Sequence, residues 1–285
     1  MTGTLLDVCL ALLLIGAAAV TLVDADANEP TVSGLDGAEA TADTLATTTA
    51  AVNYTVARDG GGGPDSSTAS PEAERVAHAT LAGHLARAAV RSATVDGTRL
   101  SPASADYRRA VRAAVAATVG ANVRVRATWT PLPGRGLSGE IRVGPSPPPA
   151  ADVAAARFTV PVAAQVGRSK GGTATGASVT DGTDATEATD AHAAVAVLFP
   201  PDRIAATARD DGPAAALVRE RYRRAGDALG VDALGAFERE SPRAANRLLA
   251  GALAEREGGA NTTPPGNTRS GDPGTVTVVV RTWSP

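Results

Sequence analysis

Lysine is almost missing from this chain: Lys170 is the only one, so arginine carries nearly all of the positive charge. Cys9 is the only cysteine, which excludes an intrachain disulfide whatever the redox state of the compartment. Aromatic residues make up 3% of the sequence, leaving a core of Val, Leu and Ala with a few large anchors. An excess of positive charge is also lacking. With 27 basic and 30 acidic residues the formal net charge is -3, which argues against a nucleic-acid binder that relies on neutralising phosphates. What is present is Ala, Gly, Thr, Val and Asp in abundance, a bias that raises the frequency of chance motif matches. At 285 residues the chain can hold one large domain or two small ones around a sizeable core.

The one long apolar run is "TLLDVCLALLLIGAAAVTLVDADANEP", residues 4 to 30. Val8 to Val23 carries no charge and would span roughly 24 Å as a helix, against about 30 Å of hydrocarbon core. Adding Leu5 and Leu6, with Asp7 at the interface, brings the span to roughly 28 Å. A cleaved secretory signal would need a basic leader, and Arg58 is the first basic residue. The run is therefore expected to be a retained single-pass anchor. Cleavage after Ala25-Asp26-Ala27 and a buried soluble helix are the alternatives. Cys9 is not expected to carry lipid, because "LLDVC" lacks the small residues and upstream apolar stretch that attachment needs. The sequons at Asn53 and Asn261 are candidate glycosylation sites and agree with a domain outside the membrane.

Residues 1–27 are accordingly read as a transmembrane anchor, 28–49 as a polar neck, and 50–285 as an extracytoplasmic α+β domain with flexible loops at 58–70, 165–190 and 258–273. Residues 24 to 43 hold six acidic side chains and no basic one, with Pro30, Gly34 and Gly37 interrupting any helix before a short Thr/Ala helix. "AAVNYTVA" (50–57) reads as a strand. Ser70 and Pro71 announce a helix through about Ser92, and a second spans about Ser104 to Thr118. "NVRVRATWTP" and "EIRVG" form a hairpin, and "ARFTVPVAA" is a further strand whose Pro161 places it at a sheet edge. The stretch 165–190 has almost no large apolar side chain and is expected to be disordered. Helices follow at "DRIAATARDD", from Pro213, and from Ser241-Pro242, before the closing strand "GTVTVVVRTWSP". The fold class is thus α+β, an antiparallel sheet packed by amphipathic helices.

No motif in the chain carries a recognisable catalytic or ligand-binding pattern. Gly134 to Gly139 matches G-x-G-x-x-G, but a strand follows where a dinucleotide site needs a helix, so it reads as a hairpin loop. No metal, cofactor, small-molecule substrate or catalytic residue is expected, and the chain is read as no enzyme. "YRRA" at 107–110 and 222–225 and the Trp-ended strands differ in offset and phase, which favours convergence over duplication. The densest charge cluster is "VRERYRRAGD", with Arg219, Arg221, Arg223 and Arg224 on one helix. It is either a solvated face partly paired with Glu220 and Asp227, or a docking site for an acidic partner or lipid headgroups.

The order "LLDVCLALLLIGAAAVTLV", "ATTTAAVNYTV", "ERVAHATLAGHLARAAV", "FPPDR", "LVRERYRRAGDALGVD" and "VVVRTWS" resembles a family of uncharacterised haloarchaeal single-pass membrane proteins. The resemblance implies association with archaeal type II/IV secretion or pilus components. It also implies membrane lipid and other subunits of that apparatus as partners, and a C-terminal domain outside the cell membrane. More loosely, an apolar N-terminal helix bearing an external α+β domain looks like the plan of type IV pilins. Asp7 stands fourth after Gly3 and there is no basic leader, so an accessory subunit fits better than a fibre subunit. Asp7 is a candidate helix contact within such an assembly. A tethered or secreted cell-surface binding module is the alternative.

Overall fold

The computed structural model describes residues 34–56, 73–162, 182–209, 212–256 and 272–284. It begins with helix α1 (Gly34–Thr47), which runs through the stretch where glycines were expected to prevent a helix. Tertiary packing overrides the local penalty: Ala38, Ala42 and Leu45, spaced four and three apart, are buried. On the other side Thr41, Thr44 and Thr47 return their hydroxyls to the carbonyls of Gly37, Ala40 and Asp43.

Strand β1 (Thr49–Val56) pairs antiparallel with β2 (Ala73–Thr80), with Val52 opposite Ala77. The helix expected from Ser70 therefore begins ten residues later, as α2 (Leu81–Arg91). Thr80, not Ser70, is its N-cap, accepting from the Gly83 N–H at 3.1 Å. "ERVAHAT" has helical propensity, but β1 needs a partner for its backbone groups, and pairing wins.

Two short strands, β3 (Thr94–Val95) and β4 (Thr98–Arg99), follow. They are joined by Asp96 (φ 47°) and Gly97 (φ 82°), the two positive-φ residues that a type I′ turn requires. Helix α3 (Ala105–Thr118) buries Tyr107, Val111 and Val115, as its spacing implied. Next come β5 (Val123–Trp129), β6 (Leu137–Val143) and the edge strand β7 (Val153–Pro161). Five helices follow: α4 (Gly182–Leu198), α5 (Pro201–Ala208), α6 (Pro213–Leu229), α7 (Ala233–Arg239) and α8 (Pro242–Glu255). Helix α4 starts inside the stretch expected to be disordered. Small residues carry its packing, with Ala191, Ala194, Val195 and Leu198 buried at helical spacing. The last described strand is β8 (Thr275–Trp283).

The fold is α+β, with an antiparallel six-stranded sheet in the order β4-β3-β6-β5-β8-β7. Helices α1 and α2 cover one face. Buried Val123, Val125, Ala127 and Trp129 of β5 meet Val276, Val278 and Val280 of β8 beneath them. The approach of α2 to the sheet is close: a Cβ on Gly139 would lie 2.2 Å from the Ala89 carbonyl oxygen. The three glycines of the G-x-G-x-x-G match thus have structural roles. Gly134 and Gly136 adopt positive φ in the β5–β6 turn, and Gly139 admits the helix.

The opposite face of the sheet carries the alternate residues, and among the described residues no helix lies on it. Arg126, Arg142, Arg157 and Arg281 are exposed there, and Arg124, Thr128, Glu140, Thr277 and Val279 are half-exposed. The helices α4 to α8 form a second layer of packing beside the sheet. Arg135, from the β5–β6 turn, donates to the carbonyls of Ala254 and Arg256 at the end of α8, and Arg256 pairs with Asp96. No helix among the described residues is long and apolar enough to cross a membrane. Asp7, Asn261 and the expected anchor at residues 1–27 lie outside the described residues.

Candidate functional site

Helix α6 starts at Pro213, whose fixed φ and missing N–H suit the first helical position. It buries Ala215, Val218, Tyr222, Ala225 and Gly226, and this stripe dictates where the four arginines point. Arg223 lies between Glu220 (2.7 Å) and Asp227 (2.7 Å), and Arg224 also reaches Glu220 at 2.7 Å. Hydrogen bonding by Arg223 first, with a further bond from Arg224, pulls the Glu220 carboxyl down to about 2 against the opposing effect of burial. Arg219 approaches Glu238 of α7 at 3.7 Å. These pairs satisfy the helix's own charges.

Arg221 points the other way. Its guanidinium stacks 4.9 Å from the Phe199 ring centre and donates to the Leu198 carbonyl at 2.6 Å, while its Nε is buried without a hydrogen-bond partner. Burial, with the charge of Arg91 adding to it, lowers its pKa to about 10, so it stays protonated at neutral pH. Leu198 and Phe199 end α4, where carbonyls have no partner within the helix. Arg221 takes the first and the Asn246 amide takes the second at 2.7 Å, so the cation sits at the negative end of the helix dipole. The structure therefore divides the four arginines: Arg219, Arg223 and Arg224 belong to surface ion pairs and Arg221 to a helix cap.

Two aromatic clusters stand behind these groups. In the bundle, Phe199, Tyr222 and Phe237 stack with centres 4.7 and 4.8 Å apart, and Tyr222 donates to Asn246 Oδ1 at 2.8 Å. Burial raises the Tyr222 pKa. Near the sheet, the fully buried His84 contacts Ala50 O through Nε2 at 3.0 Å and the Tyr107 hydroxyl through Nδ1 at 2.9 Å. A carbonyl only accepts, so Nε2 carries the proton and Nδ1 receives the Tyr107 O–H. Burial first, then the charges of Arg87 and Arg91, hold the His84 pKa below 6.5, despite the opposing bond to Ala50. Arg91 lies 4.4 Å from the Tyr107 ring centre and 5.6 Å from that of Tyr54.

Sequence reasoning missed both clusters. Asn246, a polar residue on the apolar face formed by Ala245, Leu249 and Leu253, was the available signal in the bundle. The helix expected from Ser70 to about Ser92 would carry both His78 and His84, whereas His78 lies on β2 and His84 on α2.

A groove of about 380 Å³ opens at the α6–α7 turn, lined by Arg223, Asp227 and Asp232. Its acids are engaged. Asp227 meets Arg223; Asp232 caps α7 by accepting from the Gly235 N–H at 2.8 Å and pairs with Arg239. The Gly235 bond first, then Arg239, hold the Asp232 carboxyl below its usual range. No group of three or more His, Cys, Asp and Glu able to hold a metal occurs among the described residues. Asn53 is exposed on β1, opposite Val76.

Fold and side chains together define an α+β protein with a one-sided antiparallel sheet, a helical layer beside it and arginine-rich surfaces. The chain belongs to a family of unknown function, DUF7284, whose model matches residues 6–283. Searches of the curated proteins and of the solved structures give no match.

Proposed function

We propose that this protein is a membrane-anchored, pilin-like accessory or structural component of an archaeal secretion or pilus system, working by contact and not by catalysis. The observation that carries this reading is the placement of α1. Separated from the apolar run of residues 4–23 only by an acidic stretch, α1 lies along β7 and β8 and buries Ala38, Ala42 and Leu45. An apolar N-terminal segment leading to a helix laid on an antiparallel sheet is the plan that the pilin resemblance implies. In that reading residues 4–23 cross the membrane once, residues 34–284 lie outside, and membrane lipid and other subunits are the partners. Asp7 would contact one of those subunits.

The test is fractionation followed by proteolysis. The full-length chain is expected to sediment with membranes and to be digested by protease added to intact cells. A soluble protein, protected until the cells are lysed, would overturn the proposal. A second reading, a tethered or secreted cell-surface binding module, is favoured by the open sheet face. Release of a shortened chain into the medium, measured by intact mass, separates the secreted form from the anchored one.

A further inference from the structure

Cross-strand neighbours on the open face of the sheet are placed against their own electrostatic interest. Arg126 of β5 stands directly opposite Arg142 of β6, and Arg124 of β5 directly opposite Arg281 of β8. Like charges in such positions destabilise a sheet. Arg157 adds a fifth guanidinium on β7, in the row of Arg126 and Val279. Glu140 is the only acid at the outward positions of β5 to β8, and it pairs with both Arg126 (2.6 Å) and Arg142. Arg124 donates to the Ser146 hydroxyl. No ion pair to Arg124, Arg157 or Arg281 is found among the described residues. A chain with a net charge of -3 thus gathers five arginines and one glutamate on a sheet face that no helix covers among the described residues.

We infer that this face binds an extended acidic segment of a partner polypeptide, with alternate carboxylates of the segment held by the Arg126–Arg142 and Arg124–Arg281 pairs. The spacing supports it. Arg124 and Arg126 lie two residues apart on β5, about 6.8 Å, and paired strands are about 4.8 Å apart. The Arg126–Arg142 pair lies on the β6 side of β5 and the Arg124–Arg281 pair on its β8 side, so their centres are about 8 Å apart, and an extended peptide crossing β5 obliquely, with every second side chain at about 6.8 Å, brings successive carboxylates within reach of the long guanidinium arms. Guanidinium binds carboxylate through two parallel hydrogen bonds, a match that lysine does not offer. Thr128, Thr277 and Thr159 occupy the adjoining row and add hydroxyls for the peptide backbone. A single-stranded nucleic acid fits less well, because Trp283, the one aromatic at these outward positions, is 9% exposed and offers no stacking surface. A lipid surface fits less well too, since no large apolar side chain besides Val153 and Val279 could enter between headgroups.

This inference gives the proposed assembly role a partner chemistry, yet it is tested by binding alone and so can fail without deciding where the protein resides. The full-length chain is purified in buffer, or in phosphatidylcholine nanodiscs if it partitions into membranes. Its affinity is measured by fluorescence anisotropy for a labelled peptide of alternating Thr and Asp, with the Thr-Asn peptide as control. The Thr-Asp peptide is expected to bind and the Thr-Asn peptide not to bind. Arg124→Gln with Arg281→Gln, and separately Arg126→Gln with Arg142→Gln, should each weaken binding by about tenfold. Arg243→Gln, an exposed arginine paired with Asp202 on the bundle, should leave it unchanged. The Arg124→Gln, Arg281→Gln variant should melt at or above the parent, since a like-charge contact has been relieved, and the Arg126→Gln, Arg142→Gln variant, which also loses both ion pairs to Glu140, should melt slightly below it but with the same cooperative transition, which separates lost binding from lost folding. Failure of the Thr-Asp peptide to bind would overturn the inference, as would equal weakening by Arg243→Gln. So would tighter binding of heparin or of phosphatidylglycerol vesicles through the same arginines.

Discussion

The sheet half and the helical half of this protein secure their buried rings by different means. Beside the sheet, Trp129 donates straight to the Pro273 carbonyl at 2.9 Å, while Tyr107 donates to His84, which passes the chain on to the Ala50 carbonyl, so main-chain oxygens of distant segments are reached directly or through one histidine. In the bundle, Tyr222 uses the Asn246 side chain, which in turn reaches Phe199 O just past the C-terminal end of α4. The difference follows from backbone accounting. Strand edges and the turns between strands leave carbonyls available, whereas a helix spends its own internally and offers only those of its last turn. A helical layer poor in large residues therefore needs a dedicated polar side chain to hold an aromatic ring in place.

Breaking each half at its anchor should give graded losses. Trp129→Ala removes a fully buried indole between sheet and helices, and is expected to cost about 3–5 kcal/mol in chemical denaturation. Tyr222→Phe leaves the stack intact but strands the Asn246 carbonyl. Its expected cost is about 1–3 kcal/mol, and Tyr222→Phe combined with Asn246→Leu should lose less than the two single changes added together.

The two halves should also differ in their response to mild acid. Folded His84 titrates below 6.5, so protonation favours the unfolded chain; its contribution is fully present above 6.5 and is lost as pH falls below that value. Melting temperature should decline on acidification from pH 7 toward pH 5, and His84→Gln should flatten that slope. The smallest effect is expected on the surface of α6. Glu220→Gln breaks two half-exposed pairs and costs about 1 kcal/mol, a loss that should shrink at high salt.

The sheet was legible in the sequence where one face is buried, because alternation in "VRVRATW" and "TVTVVV" reports that burial directly. Helix α3 was legible from its 3.6-residue stripe, and the β7 edge from Pro161. Legibility failed where long-range pairing decides the outcome: nothing local in "ERVAHAT" states that β1 will recruit it as a strand. It failed again where alanine carries the packing, in α1 and α4, since small residues give weak periodicity. The β3–β4 turn was not anticipated, although "VDGT" holds the Asp-Gly pair such turns favour. For the arginines of α6, sequence spacing gave the acid partners of Arg223 and Arg224. Only the position of Leu198 and Phe199 in space separates Arg221 from them.

The position of β8 bears on how the protein is made. Residues 275–283 form the strand between β5 and β7, and among the described residues β7 has no other neighbour in the sheet. A chain emerging from a ribosome or through a membrane would have synthesised all five helices of the bundle before that middle strand arrived. Until then β5 exposes one edge and β7 stands alone, both able to pair with other chains. Closure of the sheet must therefore wait for contacts across more than a hundred residues, and such long-range pairing is slow relative to the local formation of the helices.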